Sequence, residues 1–466
     1  MKKSNYISLI FAATIILSGI YSCKKQLDLQ PPAQLNESNS IVTIEDARSA
    51  LYGAYSEFGY ADNMFISALL SDEAKLGANN SGGGALEYRY QFGSDDVSAP
   101  EAIAAWGDYY RVIDQVNRTL PKITTVTATV AQEPLRAQYT AQLKALRGIS
   151  FFELLQAYSK NFNAADPLGV PVSLVSNPLQ QPARNTQGEV MDRINSDLAE
   201  AKAALAPVTA STFTDTLLNP VSIAAYQARI ALYRKDYDAA ITFASEVINS
   251  NVKQIASGND FQNIWSDASE SEVLFKIKYT NASIGGFWNA GNNILIAPSD
   301  KLVASYSPND IRLGTYIGNN GANNFVAKFF SSSNGLGVTD AIVARISEMY
   351  LIRAEAYARK SSPDVVSGAA DLNLLRSNRI LSYSDEVFTS ATDLSNAVLD
   401  ERFKELAFEG FRYFDLKRNN LPVERLATDV ASSQWQNLAV DSKYFVLPIP
   451  SDELKANPNM VQNTGY

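Results

Sequence analysis

Residues 222–250 read SIAAYQARIALYRKDYDAAITFASEVINS, and this stretch decides the fold. In its second half Tyr237, Ala240, Ile241, Ala244, Val247 and Ile248 recur at the spacing that lines one face of a helix. Asp236 stands where an N-cap belongs. In the first half Ala224, Ala228 and Ala231 form a small-residue face that permits close approach. Two helices joined by a tight turn, with alanine-rich contacts between them, resemble a tetratricopeptide unit.

Working outward, similar helical patterns pair 132–159 with 187–205 and 341–360 with 363–379. A first helix is expected from a Thr43 cap to about Phe58, with Glu45 and Asp46 in its first turn. Another starts at Pro100 and carries Trp106, Tyr109, Tyr110 and Ile113 at helical spacing. The expectation is a mostly α fold of four helix pairs, some split by insertions, with minor β. Residues 77–100 contain Ser81-Gly82-Gly83-Gly84 and are too rich in Gly, Ser and Asn for regular helix. Residues 251–340 hold a strand-like run, Val273 to Tyr279, and then Gly/Asn-rich turns carrying Phe287, Trp288, Tyr306 and Tyr316. Aromatic-bearing loops on a rigid scaffold are where binding tends to sit.

Composition narrows the chemistry. The 466 residues include no histidine, which removes Ser-His-Asp and Cys-His nucleophile pairs and the commonest zinc and iron ligand sets. Net charge is -9 and no long basic run occurs, which argues against a nucleic-acid partner. The one cysteine, Cys23, follows a positive Lys2-Lys3 start and an apolar stretch from Ile7 to Leu17. That stretch is too short to span a bilayer but suits a signal peptide. Ser22 before Cys23 resembles a loose bacterial lipobox, so cleavage would leave Cys23 as a lipidated N-terminus. The expected organisation is a leader over 1–22 and one domain over 23–466. Its 23–330 part would carry the ligand loops.

The C-terminal part, 331–466, carries an ordered series of motifs: ARISEMYLIRAEAY at 344–357, ADLNLLR at 370–376, ERFKELAFEG at 401–410, RYFDLKR at 412–418, LPIP at 447–450 and QNTGY at 462–466. With Leu27-Asp28-Leu29-Gln30-Pro31 after Cys23, and Trp106, Tyr110, Ile113 and Asn117, the series strongly resembles the SusD/RagB family of Bacteroidota. The resemblance implies a curved scaffold of four tetratricopeptide-like helix pairs, with a loop-rich variable region packed against it. It also implies a surface lipoprotein of the outer membrane that binds glycans and serves a SusC-like TonB-dependent transporter. No catalysis and no cofactor are implied. Peptide or other nutrient capture by the same fold, and a carbohydrate-active enzyme, are the alternatives.

Sugar rings need flat aromatic faces, and their hydroxyls need amides, carboxylates or Arg. Two loop clusters supply these. One holds Asn79, Asn80, Tyr88, Arg89, Tyr90 and Phe92; the other holds Tyr279, Asn281, Phe287, Trp288, Asn289 and Asn292. Within the family, ligand residues come from these two regions. The candidates are Trp288, Phe287, Tyr279, Asn281, Tyr88, Tyr90, Asn80 and Asp72, with Trp288 foremost. Trp106 reads as core, and Trp435 as packing or surface. Glu401, Glu405 and Glu409 share one helical face and read as an ion-pair network completed by Arg402, Lys404, Arg412 and Arg418, since a catalytic pair must hold substrate between its carboxyls. Arg345, Glu348, Arg353 and Glu355 read as pairs within their own helix. Asp95 and Asp96 lack the spacing of a calcium loop, so no metal is expected.

Overall fold

The computed structural model describes residues 40–95, 97–290, 293–332 and 334–466. The leader, Cys23, Asp96 and Asn292 lie outside the described residues. Helix α1 (Ile44–Ser56) begins at Thr43, whose hydroxyl accepts from Asp46 N at 3.1 Å while the Asp46 carboxylate accepts from Thr43 N at 2.8 Å. This capping box satisfies two orphan donors at once. Helix α2 (Tyr60–Leu70) is buried almost all round. Helices α3 (Pro100–Ile123), α4 (Glu133–Tyr158), α5 (Gln187–Ala204), α6 (Pro220–Tyr233) and α7 (Tyr237–Asn249) follow. The last long ones are α8 (Ile346–Arg359), α9 (Val365–Ser377) and α10 (Ala391–Glu405), before a short α11 (Arg412–Arg418).

The helices pair as α1 with α3, α4 with α5, α6 with α7, and α8 with α9, and α10 also packs on α8. The turn between α6 and α7 places Lys235 in the left-handed region (φ 61°), and the Asp236 carboxylate then accepts from Ala239 N at 3.2 Å. Between α4 and α5, a Cβ at Gly148 would lie 3.1 Å from that of Asp197, so the glycine permits the close crossing. One apolar core runs from Ile44 to Met460, and a smaller one gathers Leu351, Leu372, Leu375, Leu394, Val398 and Phe411.

Two boundaries differ from the sequence expectation. Residues 341–345 are not helical: Ala341–Arg345 is a strand paired antiparallel with Val273–Ile277. The Ile342-Val343 pair favours that extended state. Residues 77–100 do contain one helical turn, Ala85–Tyr88. Trp106 is buried as expected and packs edge-on to Tyr158 at 5.0 Å.

The Glu401/Glu405/Glu409 face is an ion-pair network, but its partners are mostly distant in sequence. Glu405 meets Arg312 at 2.9 Å, Arg345 at 2.5 Å and Arg379 at 2.9 Å. Glu401 meets Arg312 and Arg376, and Glu409 meets Lys328 and Arg345. Of the four cations expected there, only Lys404 reaches a member, Glu401 at 3.2 Å. Arg402 pairs with Asp415, Arg412 with Asp72 and Arg418 with Glu355. The pairing expected within the helix of 345–357 mostly gives way to long-range contacts, Arg229 with Glu348 and Arg353 with Asp371, while Glu355 keeps Arg359 of its own helix at 3.4 Å. Buried carboxylates take the partner that leaves least charge unmatched, whatever its distance along the chain.

Candidate functional site

Strand β1 (Ala74–Leu76) pairs antiparallel with β2 (Ile296–Pro298), in register Ala74↔Pro298 and Leu76↔Ile296. That pairing sets the two Gly/Asn-rich regions side by side. Gly77 N donates to Leu295 O at 2.8 Å, and a Cβ on Gly77 would strike Ile294 O at 2.3 Å, so only glycine fits the approach. A hairpin, β3 (Ile317–Asn319) and β4 (Asn324–Val326), stands beside β2, its turn opened by Gly321 at φ 92°. The turn is held by amides: Asn319 Nδ2 donates to Asn324 Oδ1 at 2.7 Å. Together with residues 428–435, these segments enclose a cavity of about 520 Å³. That volume lies within the range of small-ligand pockets.

Inside the cavity Lys75 meets Asp300 at 2.5 Å and Asp429 at 3.4 Å. Burial works against charge on Asp300, but the Lys75 ammonium outweighs it and holds the carboxyl below its usual range. Across from this triad the Arg89 guanidinium lies 4.8 Å from the Trp435 ring centroid. Such stacking suits Arg, whose guanidinium is planar. The pair forms a ridge, because Arg89 and Trp435 also line a second, open hollow of about 360 Å³ with Gln91, Gln434, Asn437 and Tyr444. Arg425, buried, fixes the ridge from beneath. Its guanidinium donates to Tyr88 O at 2.7 Å, Trp435 O at 2.9 Å, Leu69 O at 2.7 Å and Ser71 O at 2.9 Å.

The expected ligand residues divide between cavity wall and scaffold. Tyr88 lines the cavity, with its hydroxyl donating to Asp429 O at 2.7 Å, and Tyr90 lines the hollow, with its hydroxyl donating to Leu70 O at 3.2 Å. Trp288 requires correction. Its exposure is 0%, with Phe329 stacked at 5.8 Å and Phe287 and Phe408 edge-on at 5.0 and 5.1 Å. A ring with no open face cannot receive a sugar. Phe287 is stacked on Phe65 at 4.0 Å. Tyr279 is half-buried, and its backbone N–H donates to Asp340. Asn281 is exposed and accepts from Ser283 N and Oγ. Asn80 closes its own loop, accepting from Gly82 N and donating to Gly83 O and Leu295 O. Asp72 is buried. Desolvation opposes its charge, yet Arg412 at 2.6 Å and Lys301 at 2.7 Å hold its carboxyl down to about 2. None of these six lines the cavity or the hollow.

The residues that sequence reasoning missed are Lys75, Asp300, Asn319, Asn323, Asn324, Asp429 and Trp435. The Gly318–Gly321 turn was a signal for the hairpin; residues 428–435 offered none. A separate cavity of about 340 Å³, lined by Phe162, Tyr233 and Lys417, holds none of the sequence candidates. Among the described residues no His, Cys, Asp or Glu group of three or more is placed to hold a metal, and no helix is long and apolar enough to cross a membrane.

Comparisons with known proteins bear on this geometry. The SusD family profile matches residues 304–466, and a second profile, described as starch-binding associating with outer membrane, matches residues 27–232. SusD-like protein P38 of Formosa agariphila is 23% identical over the whole of both chains. The starch-binding protein SusD of Bacteroides thetaiotaomicron is 30% identical over 28% of this chain and 22% of its own. A SusD superfamily protein from Bacteroides thetaiotaomicron superposes with a TM-score of 0.77 at 25% identity, covering 91% of this chain and 100% of that one. A putative sugar binding protein from Bacteroides vulgatus gives 0.77 at 25% identity, covering 92% and 99%. With two profiles covering both ends of the chain and a full-length match in sequence and in fold, this chain belongs to the SusD/RagB family.

Proposed function

We propose that the protein is a lipid-anchored receptor at the outer-membrane surface that captures glycans and passes them to a SusC-like TonB-dependent transporter. One observation carries the binding part. The Arg89–Trp435 ridge stands between two depressions that are walled by amides, carboxylates and tyrosines. Such a wall offers flat apolar surface to ring faces and hydrogen-bonding groups to hydroxyls. The relatives named for starch or sugar binding support the same reading. The anchor rests on the Cys23 sequence, and we keep 1–22 as leader and 23–466 as one domain.

The protein is a binder and not an enzyme in this reading. Glycoside hydrolysis needs two carboxyls facing each other across the sugar. Asp300 and Asp429 instead grip one ammonium, Lys75, and Asp429 also accepts from Asp300 N at 2.6 Å. Glu401, Glu405 and Glu409 are buried among arginines and two lysines.

The test is calorimetry of the chain from Lys24 onward against plant, host and microbial glycans, with each mixture assayed for cleavage. Saturable binding without products is expected. Products would make the protein an enzyme, and no binding to any glycan would end the glycan reading. Co-purification of the full-length protein with a TonB-dependent transporter from outer membranes tests delivery; recovery of the lipoprotein alone counts against it.

A further inference from the structure

The charges around the ridge are unevenly matched. Lys75 is shared by Asp300 and Asp429, and Lys301 and Arg412 are held by Asp72. Arg89 differs from these. Among the described residues its side chain has no carboxylate at ion-pair distance and no hydrogen-bond acceptor. Its Nε is buried and unpartnered, and so is the indole Nε1 of Trp435 beneath it. Among the described residues, no acidic side chain lines the hollow that Arg89 shares with Gln91, Gln434, Asn437 and Tyr444. A half-buried guanidinium held against an indole therefore borders a hollow without acidic lining, while Asp300 and Asp429, in the cavity on its other side, already grip Lys75.

The guanidinium's other N–H groups, which have no acceptor among the described residues, bond an anionic oxygen more strongly than a neutral one. A carboxylate or sulfate accepts two parallel N–H groups of one guanidinium, and charge on both partners makes these bonds stronger than neutral ones. A sugar hydroxyl offers one weaker acceptor. Contact with the indole already restricts the Arg89 side chain, so less of its freedom is lost on binding. The protein carries a net charge of -9, so a general attraction for anions does not explain the arrangement; the preference is local.

We infer that the ridge selects acidic glycans, with the carboxylate or sulfate of one sugar residue held by Arg89 over Trp435 on the side of the open hollow. This rests on the cavity being the glycan site. Arg89 is thereby a specificity-determining residue, and Lys75, already neutralised, is not.

The experiment uses the chain from Lys24 onward and matched ligand pairs: oligogalacturonate with its methyl ester, and sulfated galactan oligosaccharides with their desulfated forms. Affinity is measured by calorimetry at low and high salt. The expected result is at least tenfold tighter binding of an acidic member than of its neutral counterpart, a gap that narrows as salt rises. Arg89→Gln is expected to close that gap, weakening the acidic member at least tenfold more than the neutral one while leaving the melting temperature unchanged. Arg89→Lys, which keeps charge but loses the planar fork, should restore only part of it. Carboxylate-only or sulfate-only binding identifies which acidic group is read. Equal or tighter binding of the neutral members overturns the inference and leaves the glycan reading standing. A preference that survives in Arg89→Gln overturns the role of Arg89. Absence of binding by every member, acidic and neutral, overturns the inference, and the glycan reading falls only if the wider panel of plant, host and microbial glycans fails as well.

Discussion

Trp288 and Trp435 make opposite predictions, and replacing each by alanine separates scaffold from site. Trp288 is wholly buried and contacts three phenylalanine rings. Removing a buried Trp costs about 3–5 kcal/mol, from lost transfer energy and the cavity left behind. The orphaned indole Nε1 already costs something in the native state, on the order of 1 kcal/mol for an unmade hydrogen bond. Trp288→Phe, which deletes that group and keeps an aromatic ring, should therefore cost far less than Trp288→Ala. Trp435 is half-buried in a one-turn helix and adds little to the core. Covering roughly 40 Å² of its ring with a sugar is worth about 1 kcal/mol at 25 cal/mol per Å², and ring geometry adds about another 1 kcal/mol. Losing about 2 kcal/mol weakens Kd roughly 30-fold. Urea denaturation and calorimetry on the same preparations read both quantities. Trp288→Ala should lower the urea midpoint and leave the affinity of the folded protein intact; Trp435→Ala should do the reverse. If Trp288→Ala weakens binding while its urea midpoint stays put, Trp288 meets the ligand and the burial argument is wrong.

Glu405→Gln strips the charge that faces Arg312, Arg345 and Arg379, and breaking such a buried set should cost about 3–5 kcal/mol in urea titration; a loss under about 1 kcal/mol would mean the arginines find other partners. Burial raises the Glu73 and Glu153 carboxyls to about 7, above the usual 4.5. Both are protonated in either state below pH 4.5, and between there and pH 7 the unfolded chain releases protons that the folded chain keeps, so stability falls as pH rises, by on the order of 1–3 kcal/mol per group. The depressed carboxyls, Asp72 and Glu401 at about 2, act below this window and do not cancel it. Melting temperatures across pH 4.5–7.5 should slope downward, and the Glu73→Gln/Glu153→Gln double variant should be flatter; an identical slope refutes the assignment. Cys23→Ala should release the protein from salt-washed membranes, and full retention on an immunoblot would exclude the lipid anchor.

The helix pairs were legible because their apolar stripes repeat at helical spacing whatever lies around them. The α6–α7 turn at Asp236 and the Thr43 cap fell where local chemistry put them. What depends on distant partners was not legible. The companions of Glu405 lie 93, 60 and 26 residues away, and no local pattern marks them. Trp288 misled for an instructive reason. Its neighbouring glycines look like those of a mobile exposed loop, but a Cβ at Gly285 would sit 2.4 Å from Gly337 Cα, and Gly285 N donates to Gly337 O at 3.2 Å. The glycine is there so that two backbones can touch, and that contact draws the segment inward with its tryptophan. β1 and β2 bring the two loop regions together, but a site built only from them lacks Trp435. Trp435 comes from a third segment, held against the first by Arg425, whose four acceptors are all backbone carbonyls. Carbonyls carry no side-chain signature, so a staple of that kind leaves almost no trace in sequence.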